Sequence, residues 1–216
     1  MPLGIVVGMA AEARIVRGLG EVAIGGGTPA GAEAAAERLA AGRATALLSF
    51  GLAGGLDPDL RPGSIVVPVA VLERNHRFFT DEELSRALGG TTAILLLAAD
   101  SAVADTRMKR QLFSQTGAST VDLESGAVAR VAQRHRLPFA VLRAVCDPVQ
   151  RGLPPAALAA LDADGGIRIP RVLASVAVRP WQLPALLRLA LDAARARHAL
   201  LRAVEGLRRR LDGGIS

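Results

Sequence analysis

The sequence predicts an α/β domain on a largely parallel sheet, and three observations predict it. Short β-branched or leucine-rich runs bounded by Gly, Pro or Asp recur along the chain, and Ala-rich segments of helical length alternate with them. Half of the 216 residues are hydrophobic, with a mean hydropathy of +0.33, far from the polar, highly charged balance that keeps a chain disordered. A chain of this length has the size of one domain and buries about 70% of its unfolded surface. No fixed-period repeat or linker-like break in composition divides it, so residues 1–216 are expected to form a single domain.

Strands are expected near Ile5–Val7, Ala46–Phe50, Ile65–Val69, Ile94–Leu97 and Ala140–Val145, and helices near Ala30–Ala41, Ala102–Ser114 and Ser125–Arg134. Asp164, Gly165 and Gly166 mark a turn before the last third. Beyond Pro180, Trp181 and Pro184, a long Leu/Ala/Arg helix is expected over about 182–210. Leu183, Leu187, Leu191, Ala194 and Leu201 share one face of it, while Arg188, Arg195, Arg202 and Arg209 recur every seventh residue beside them. The favoured reading is a terminal helix whose leucine stripe covers the domain and whose arginines are solvated; contact with a membrane surface is the alternative.

Composition removes several classes of function. The single cysteine, Cys146, excludes an intramolecular disulfide framework and fits a reducing cytoplasm, and no Cys/His cluster has zinc-site spacing. Met1–Val7 lacks the basic flank of a secretion signal, and Asp100, Arg188 and Asp192 interrupt the most apolar stretches, so no membrane span is expected. The net charge is +6 with a pI near 11.1, carried by arginine because Lys109 is the only lysine. Nucleic acid is not expected as a partner, since aromatics are 3% of residues and tyrosine is absent.

Four segments can carry chemistry. Gly4–Glu12 is a buried strand ending in glycine, with a carboxylate in the first turn of a helix; ligands of open α/β sheets sit beyond such strand ends, although the helix dipole alone also favours Glu12 there. Ser49–Leu56 runs from a strand into small residues, either a tight turn or a loop whose backbone approaches a ligand, and it lacks the Gly-Lys-Ser/Thr of a P-loop. Val121-Asp122-Leu123-Glu124 sets two acids about a leucine, able to accept hydrogen bonds from vicinal hydroxyls or to cap the next helix. In Val141–Pro148 a hydrophobic strand holds Arg143 inside and Asp147 at its exit, and a buried arginine demands an anionic or hydrogen-bonding partner. Three acids on three segments, each just past an apolar strand, are expected to converge at one end of the sheet.

Taken in order, these segments resemble the nucleoside phosphorylase superfamily and, within it, the methylthioadenosine/S-adenosylhomocysteine nucleosidases. Gly-Met-Ala-Ala-Glu ending at Glu12 resembles their N-terminal motif, and Gly51–Gly55 resembles their Gly-Ser-Ala-Gly-Gly loop with Leu52 in place of serine. Val121–Glu124 is similar to their Val-Glu-Met-Glu motif and Arg143–Asp147 to their Arg-Ala-Ile-Ser-Asp motif. The resemblance implies a three-layer αβα fold around a central mixed, largely parallel sheet. It also implies a homo-oligomer that needs no cofactor or metal and cleaves the N-glycosidic bond of a purine nucleoside.

Carried over residue by residue, the resemblance makes Asp147 the acid at purine N7 and Glu12 the base that activates water, with Glu124 on the ribose hydroxyls. Met9, Leu52, Ala53, Gly54, Asp122, Leu123, Arg143 and Cys146 complete the implied substrate site. Leu52 and Cys146 stand where the motifs have serines and Leu123 where they have methionine, implying a less polar pocket and a different nucleoside. Ser64–Thr80 is short for the family, leaving His76, Phe78 and Phe79 where a longer loop closes over the sugar. Together with the tail at Arg179–Pro184, this looks most like the hopanoid-associated phosphorylases. That resemblance implies release of adenine from adenosylhopane, a lipid-linked nucleoside, by a cytoplasmic enzyme with peripheral contact to an anionic inner membrane. Phosphorolysis, with Arg14 or Arg43 holding phosphate, or hydrolysis of methylthioadenosine and S-adenosylhomocysteine is the first alternative, and a non-catalytic nucleoside- or lipid-binding protein the second.

Overall fold

The structure is a computed structural model that describes residues 2–154, 157 and 180–213. In chain order the elements are β1 (Leu3–Val7), α1 (Ala10–Ile15), β2 (Glu21–Ile24), α2 (Pro29–Ala41), β3 (Ala46–Gly55), β4 (Ile65–Val66), β5 (Pro68–Glu73) and β6 (His76–Phe79). There follow α3 (Glu82–Ala87), β7 (Ala93–Ala98), α4 (Thr106–Thr116), β8 (Thr120–Asp122), α5 (Ser125–His135), β9 (Phe139–Asp147), a single 3₁₀ turn (Pro180–Gln182) and α6 (Leu183–Gly213). The five expected strands are present, with Ile65–Val69 divided between β4 and β5. Helix α4 begins later than expected, where the Asp105 carboxylate accepts from the Arg107 and Met108 amides and fixes its start. Strands β2, β6 and β8 have no counterpart in the periodicity because each is four residues or fewer. The turn expected at Asp164–Gly166 lies outside the described residues.

The strands form one mixed, mostly parallel sheet in the order β2-β1-β3-β8-β7-β5-β6. Strand β9 pairs in parallel with β3 and antiparallel with β4, and β8 runs antiparallel to the far end of β3 through Gly54–Val121 and Gly55–Thr120. Thus β3 is the hub. Its first half lies between β1 and β9, and its second half reaches β8, bringing the ends of β1, β8 and β9 together. The Gly51–Gly55 segment, expected as a ligand-binding loop or turn, is instead a continuation of β3, held by hydrogen bonds to β9 and β8.

Helices cover both faces. On one, Ala32, Ala35, Ala36 and Leu39 of α2 meet Ala127, Val128, Val131 and Ala132 of α5, small side chains that let the helices approach each other over Val6, Leu47 and Val141. Arg130 and Arg134 of α5 clamp the outside of this pair onto Glu33 and Glu37 of α2, and Arg130 also pairs with Glu73 of β5. On the other face, α6 lies with α1 and α3 over a core that includes Ile5, Leu48, Phe50 and Leu142.

Helix α6 departs from its expected orientation. Ala196, Ala199, Leu200, Val204 and Leu207 are buried, whereas Leu183, Leu187, Leu191 and Leu201, expected against the domain, are 43–59% exposed and Ala194 is exposed as well. The helix carries two apolar faces, and hydropathy alone does not choose between them. Asp192 belongs to the inner face because Arg151 at 2.6 Å and Arg195 at 3.0 Å neutralise it while it is 2% exposed. Among the described residues no helix is long and apolar enough to cross a membrane.

This orientation predicts unequal effects for two leucines on one helix. Leu200→Ala, at a fully buried position, lowers unfolding stability by about 2–5 kcal/mol, whereas Leu187→Ala stays within about 0.5 kcal/mol of wild type in urea denaturation. Equal losses would mean that the inner face has been misassigned.

Candidate active site

The first acid sits where β1 hands over to α1. Glu12 falls in the opening turn of α1 and is 2% exposed; its Oε2 accepts from the Met9 amide at 2.9 Å and its Oε1 from the Leu52 amide of β3 at 3.0 Å. The carboxylate therefore ties the exit of β1 to the hub strand. Two glycines make room for it and its neighbours. A Cβ at Gly51 would lie 2.6 Å from Arg143 Nη1 and 2.7 Å from Glu12 Oε1, and one at Gly8 would lie 2.3 Å from Glu124 Oε1.

Behind these carboxylates, Arg143 enters from the middle of β9 and is 1% exposed. Its Nε lies 2.7 Å from Asp122 Oδ2 in ion-pair contact, and its Nη2 lies 3.0 Å from Glu124 Oε2 and donates to Ser49 Oγ at 2.7 Å and Ser125 Oγ at 3.2 Å. Asp122 also accepts from the Ser125 hydroxyl at 2.5 Å and the Ser125 amide at 3.2 Å. Both acids of the Val121–Glu124 motif thus pair with Arg143, and Asp122 is in addition tied to the start of α5.

Burial sets the protonation of this cluster. It pushes the Glu124 pKa up to about 7; Arg143 opposes the rise, and the adjacent charges of Asp122 and Glu12 add to it. Burial likewise raises the Glu12 pKa, against Arg143 and three backbone amides that favour its charged form. For Arg143 burial acts downward, but Asp122, Glu124 and Glu12 outweigh it and hold the guanidinium above its ordinary range.

The third acid, Asp147, ends β9 and is 7% exposed. Arg143 does not touch it. Its Oδ2 instead accepts from Lys109 Nζ of α4 at 2.5 Å, a lysine with no solvent exposure, and the Cys146 thiol donates to its Oδ1 at 3.3 Å. Burial raises the Asp147 pKa and Lys109 pulls in the opposite direction, with burial the larger effect. Burial and the neighbouring Asp147 push the Cys146 thiol well above its usual pKa, which keeps it neutral.

A cavity of about 500 Å³ joins these groups, within the range of small-molecule sites. Met9, Glu12, Leu52, Ala53, Gly54, Asp122, Leu123, Glu124, Cys146 and Asp147, all expected at a substrate site, line it. Arg143, also expected to bind substrate, is not among the lining residues; it reaches Asp122, Glu124, Ser49 and Ser125 instead. The His76 ring packs edge-on against Phe78 at 4.4 Å on exposed β6, away from the cavity, and Arg14 and Arg43 are surface residues outside the lining.

Several lining residues escaped the sequence reading: Gly26, Gly27 and Thr28 before α2, Ser101–Val103 before α4, and Leu153. The first group had a signal, since three glycines and a Thr-Pro pair announce a turn and an N-capped helix; Thr28 Oγ1 indeed accepts from the Gly31 amide at 3.1 Å. Lys109 was visible as the only lysine among many arginines, but nothing local linked it to Asp147, 38 residues away. Among the described residues no group of three or more His, Cys, Asp or Glu side chains is arranged to hold a metal ion.

With this geometry in hand, comparison with known proteins is informative. The sequence matches the Phosphorylase superfamily over residues 5–94 and 82–164. No curated protein matches it. Among solved structures, the fold is similar to the 5′-methylthioadenosine/S-adenosyl homocysteine nucleosidase of Helicobacter pylori, with TM-score 0.71 and 16% identity over 97% of this chain and 98% of that one. It is similar also to the native futalosine hydrolase of Helicobacter pylori, with TM-score 0.70 and 16% identity over 97% and 98% of the two chains. The nucleosidase of Neisseria meningitidis in complex with methylthio-immucillin-A gives TM-score 0.65 and 17% identity over 94% and 97%.

A raised carboxyl pKa has a definite sign in stability. Glu124 holds its proton up to about pH 7 in the folded chain against 4.5 ordinarily, so its contribution is fully present below pH 4.5 and is lost as pH rises toward 7. Relative to wild type, Glu124→Gln is therefore expected to gain on the order of 3 kcal/mol between pH 4.5 and pH 8 in urea unfolding. A stability difference that stays constant across that range would contradict the assignment.

Proposed function

This chain belongs to the phosphorylase superfamily, and from that premise we propose that it is a purine nucleosidase, cleaving the N-glycosidic bond of an adenine nucleoside with water. One observation carries the reading: Glu12, Glu124 and Asp147, from three distant segments, line one cavity of nucleoside size. Their environments differ in the way the reaction needs. Asp147, whose carboxyl burial pushes above its ordinary pKa, gives its proton to purine N7 as the electrons of the C1′–N9 bond pass to the base. Glu12, anchored by two amides, takes a proton from the water that adds to C1′, and burial makes it a stronger base than an exposed glutamate. Glu124, in the ionised form that Arg143 favours and that predominates above about pH 7, accepts from a ribose hydroxyl and stabilises the positive charge that grows on the ring. Adenine and free ribose derivative leave, and solvent returns the proton from Glu12 to Asp147.

Water is favoured over phosphate by charge. Four carboxyl side chains and, among the described residues, no lysine or arginine line the cavity, an environment that repels a phosphate dianion. The nearest guanidinium, Arg143, is already neutralised by Asp122 and Glu124.

The 5′ substituent is read as a large apolar group, with adenosylhopane the candidate drawn from the resemblance of the tail. Met9, Leu52, Ala53, Ala102, Val103, Leu123 and Leu153 give most of the lining an apolar character that suits such a group. The outward stripe of Leu183, Leu187 and Leu191 on α6, beside exposed Trp181 and flanked by the exposed Arg188, Arg195 and Arg202, fits an anionic bilayer surface where a lipid-linked nucleoside resides.

The test is release of free base from methylthioadenosine, adenosine, inosine and a lipid-bearing adenosine, each with and without phosphate. Turnover without phosphate, fastest on the lipid-bearing adenosine, is expected, and Asp147→Asn lowers kcat by about 10²- to 10⁴-fold. Strict phosphate dependence would replace hydrolysis by phosphorolysis, and equal rates on all adenine nucleosides would remove the lipid assignment. Cosedimentation with anionic but not zwitterionic vesicles is expected for the α6 surface; self-association that buries the stripe and leaves vesicles unbound overturns that part.

A further inference from the structure

Behind the cavity, one buried side chain has no role in the reaction described above. Lys109 is fully buried, is the only lysine of the chain, and projects from α4 to the end of β9. Its Nζ is surrounded by oxygen: Asp147 Oδ2 at 2.5 Å, the Asp147 carbonyl at 3.1 Å, the Arg151 carbonyl at 3.3 Å and the Pro148 carbonyl at 3.4 Å. Three N–H donors facing four acceptors suit an ammonium, whose buried charge is thereby both hydrogen-bonded and paired. A lysine serving only to fill space would not require this arrangement, and a methionine of similar length would do so without burying a charge.

Resting on the reading of Asp147 as the acid, we infer that Lys109 is a positioning residue that governs proton donation by Asp147. It occupies Oδ2, so that the proton is carried on Oδ1, and it stabilises the carboxylate left behind when that proton passes to the base. Among the described residues Oδ1 meets only a weak donor, the Cys146 thiol at 3.3 Å. When the Oδ1–H bond breaks and N7–H forms, the negative charge appears 2.5 Å from an ammonium already in place, so no group reorganises during the step. The three carbonyl contacts fix the Nζ to the Asp147–Arg151 turn, so the ammonium and the carboxyl keep one relative geometry.

Burial and Lys109 act on Asp147 in opposite directions. Without its charge partner the carboxyl would be a weaker acid, firmly protonated and slow to give up its proton. The other ionisable groups near Asp147 are fewer and further committed. Cys146 is neutral, the Arg151 guanidinium is taken by Asp192 of α6 at 2.6 Å, Arg188 of α6 lies across the adjoining hollow, and Glu12 of α1 lies across the cavity.

The test compares Lys109→Met, which keeps length and removes charge, with Lys109→Arg, which keeps charge. Asp147 is titrated by ¹³C NMR of the labelled carboxyl, assigned by its loss in Asp147→Asn. In Lys109→Met the titration is expected to move to higher pH by about 1–3 pH units, with kcat falling at least about tenfold and KM little changed; in Lys109→Arg both stay near wild type. A lysine with a merely structural role would lower the yield of folded protein but leave kcat of the folded Lys109→Met near wild type, and that result, like an unmoved Asp147 titration, overturns the inference. Turnover by Asp147→Asn itself would instead mean that the underlying reading of Asp147 has failed.

Discussion

Everything at the cavity depends on one buried guanidinium. Arg143 stands in the middle of β9 with apolar residues on either side, and taking its charge out of water is tolerable only because Asp122, Glu124, Ser49 and Ser125 surround it. Those partners come from β8, β3 and the start of α5, so satisfying one side chain aligns three neighbouring elements. The same charge permits several carboxyl groups to crowd one end of the sheet, where like charges would otherwise drive them apart or neutralise them. Glycine at positions 8 and 51 is the steric counterpart of this arrangement, since any side chain there would occupy the space of a carboxylate.

The cavity is therefore electrostatically divided. At one end an arginine is shared among Glu12, Asp122 and Glu124; at the other a lysine is reserved for Asp147. Neither cation faces the space a ligand would fill, and the lining itself is acidic and apolar. Such a division gives carboxyl groups that share one cavity different electrostatic surroundings, which acid–base cleavage of a glycosidic bond requires. The net charge of +6 does not reach this site, since no arginine or lysine among the described residues lines the cavity.

Helix α6 shows how a local pattern can be read correctly and oriented wrongly. Its length and amphipathic character follow from the spacing of leucine and arginine, but two apolar faces compete for the core. The helix turns toward the sheet the face bearing Ala196, Ala199, Leu200 and Val204, whose smaller side chains allow close approach, with Asp192 carried inside by its arginine partners. Leu183, Leu187, Leu191 and Leu201 are left outside as an exposed apolar stripe.

By itself the sequence determined the α/β class, five strands, the long helices and the four motifs, because each rests on periodicity or on a run of adjacent residues. Ten of the eleven residues expected at a substrate site line the cavity, since a residue just past the end of a buried strand has few other places to be. Tertiary structure alone decided the partners of the charges: Arg143 with Asp122 and Glu124, Lys109 with Asp147, Asp192 with Arg151. It also decided the outward face of α6 and the extension of β3 through its glycines. These pairings join residues 19 to 41 positions apart, and no local propensity encodes which charge meets which; desolvation makes the choice only when the strands assemble and each buried charge must find its complement.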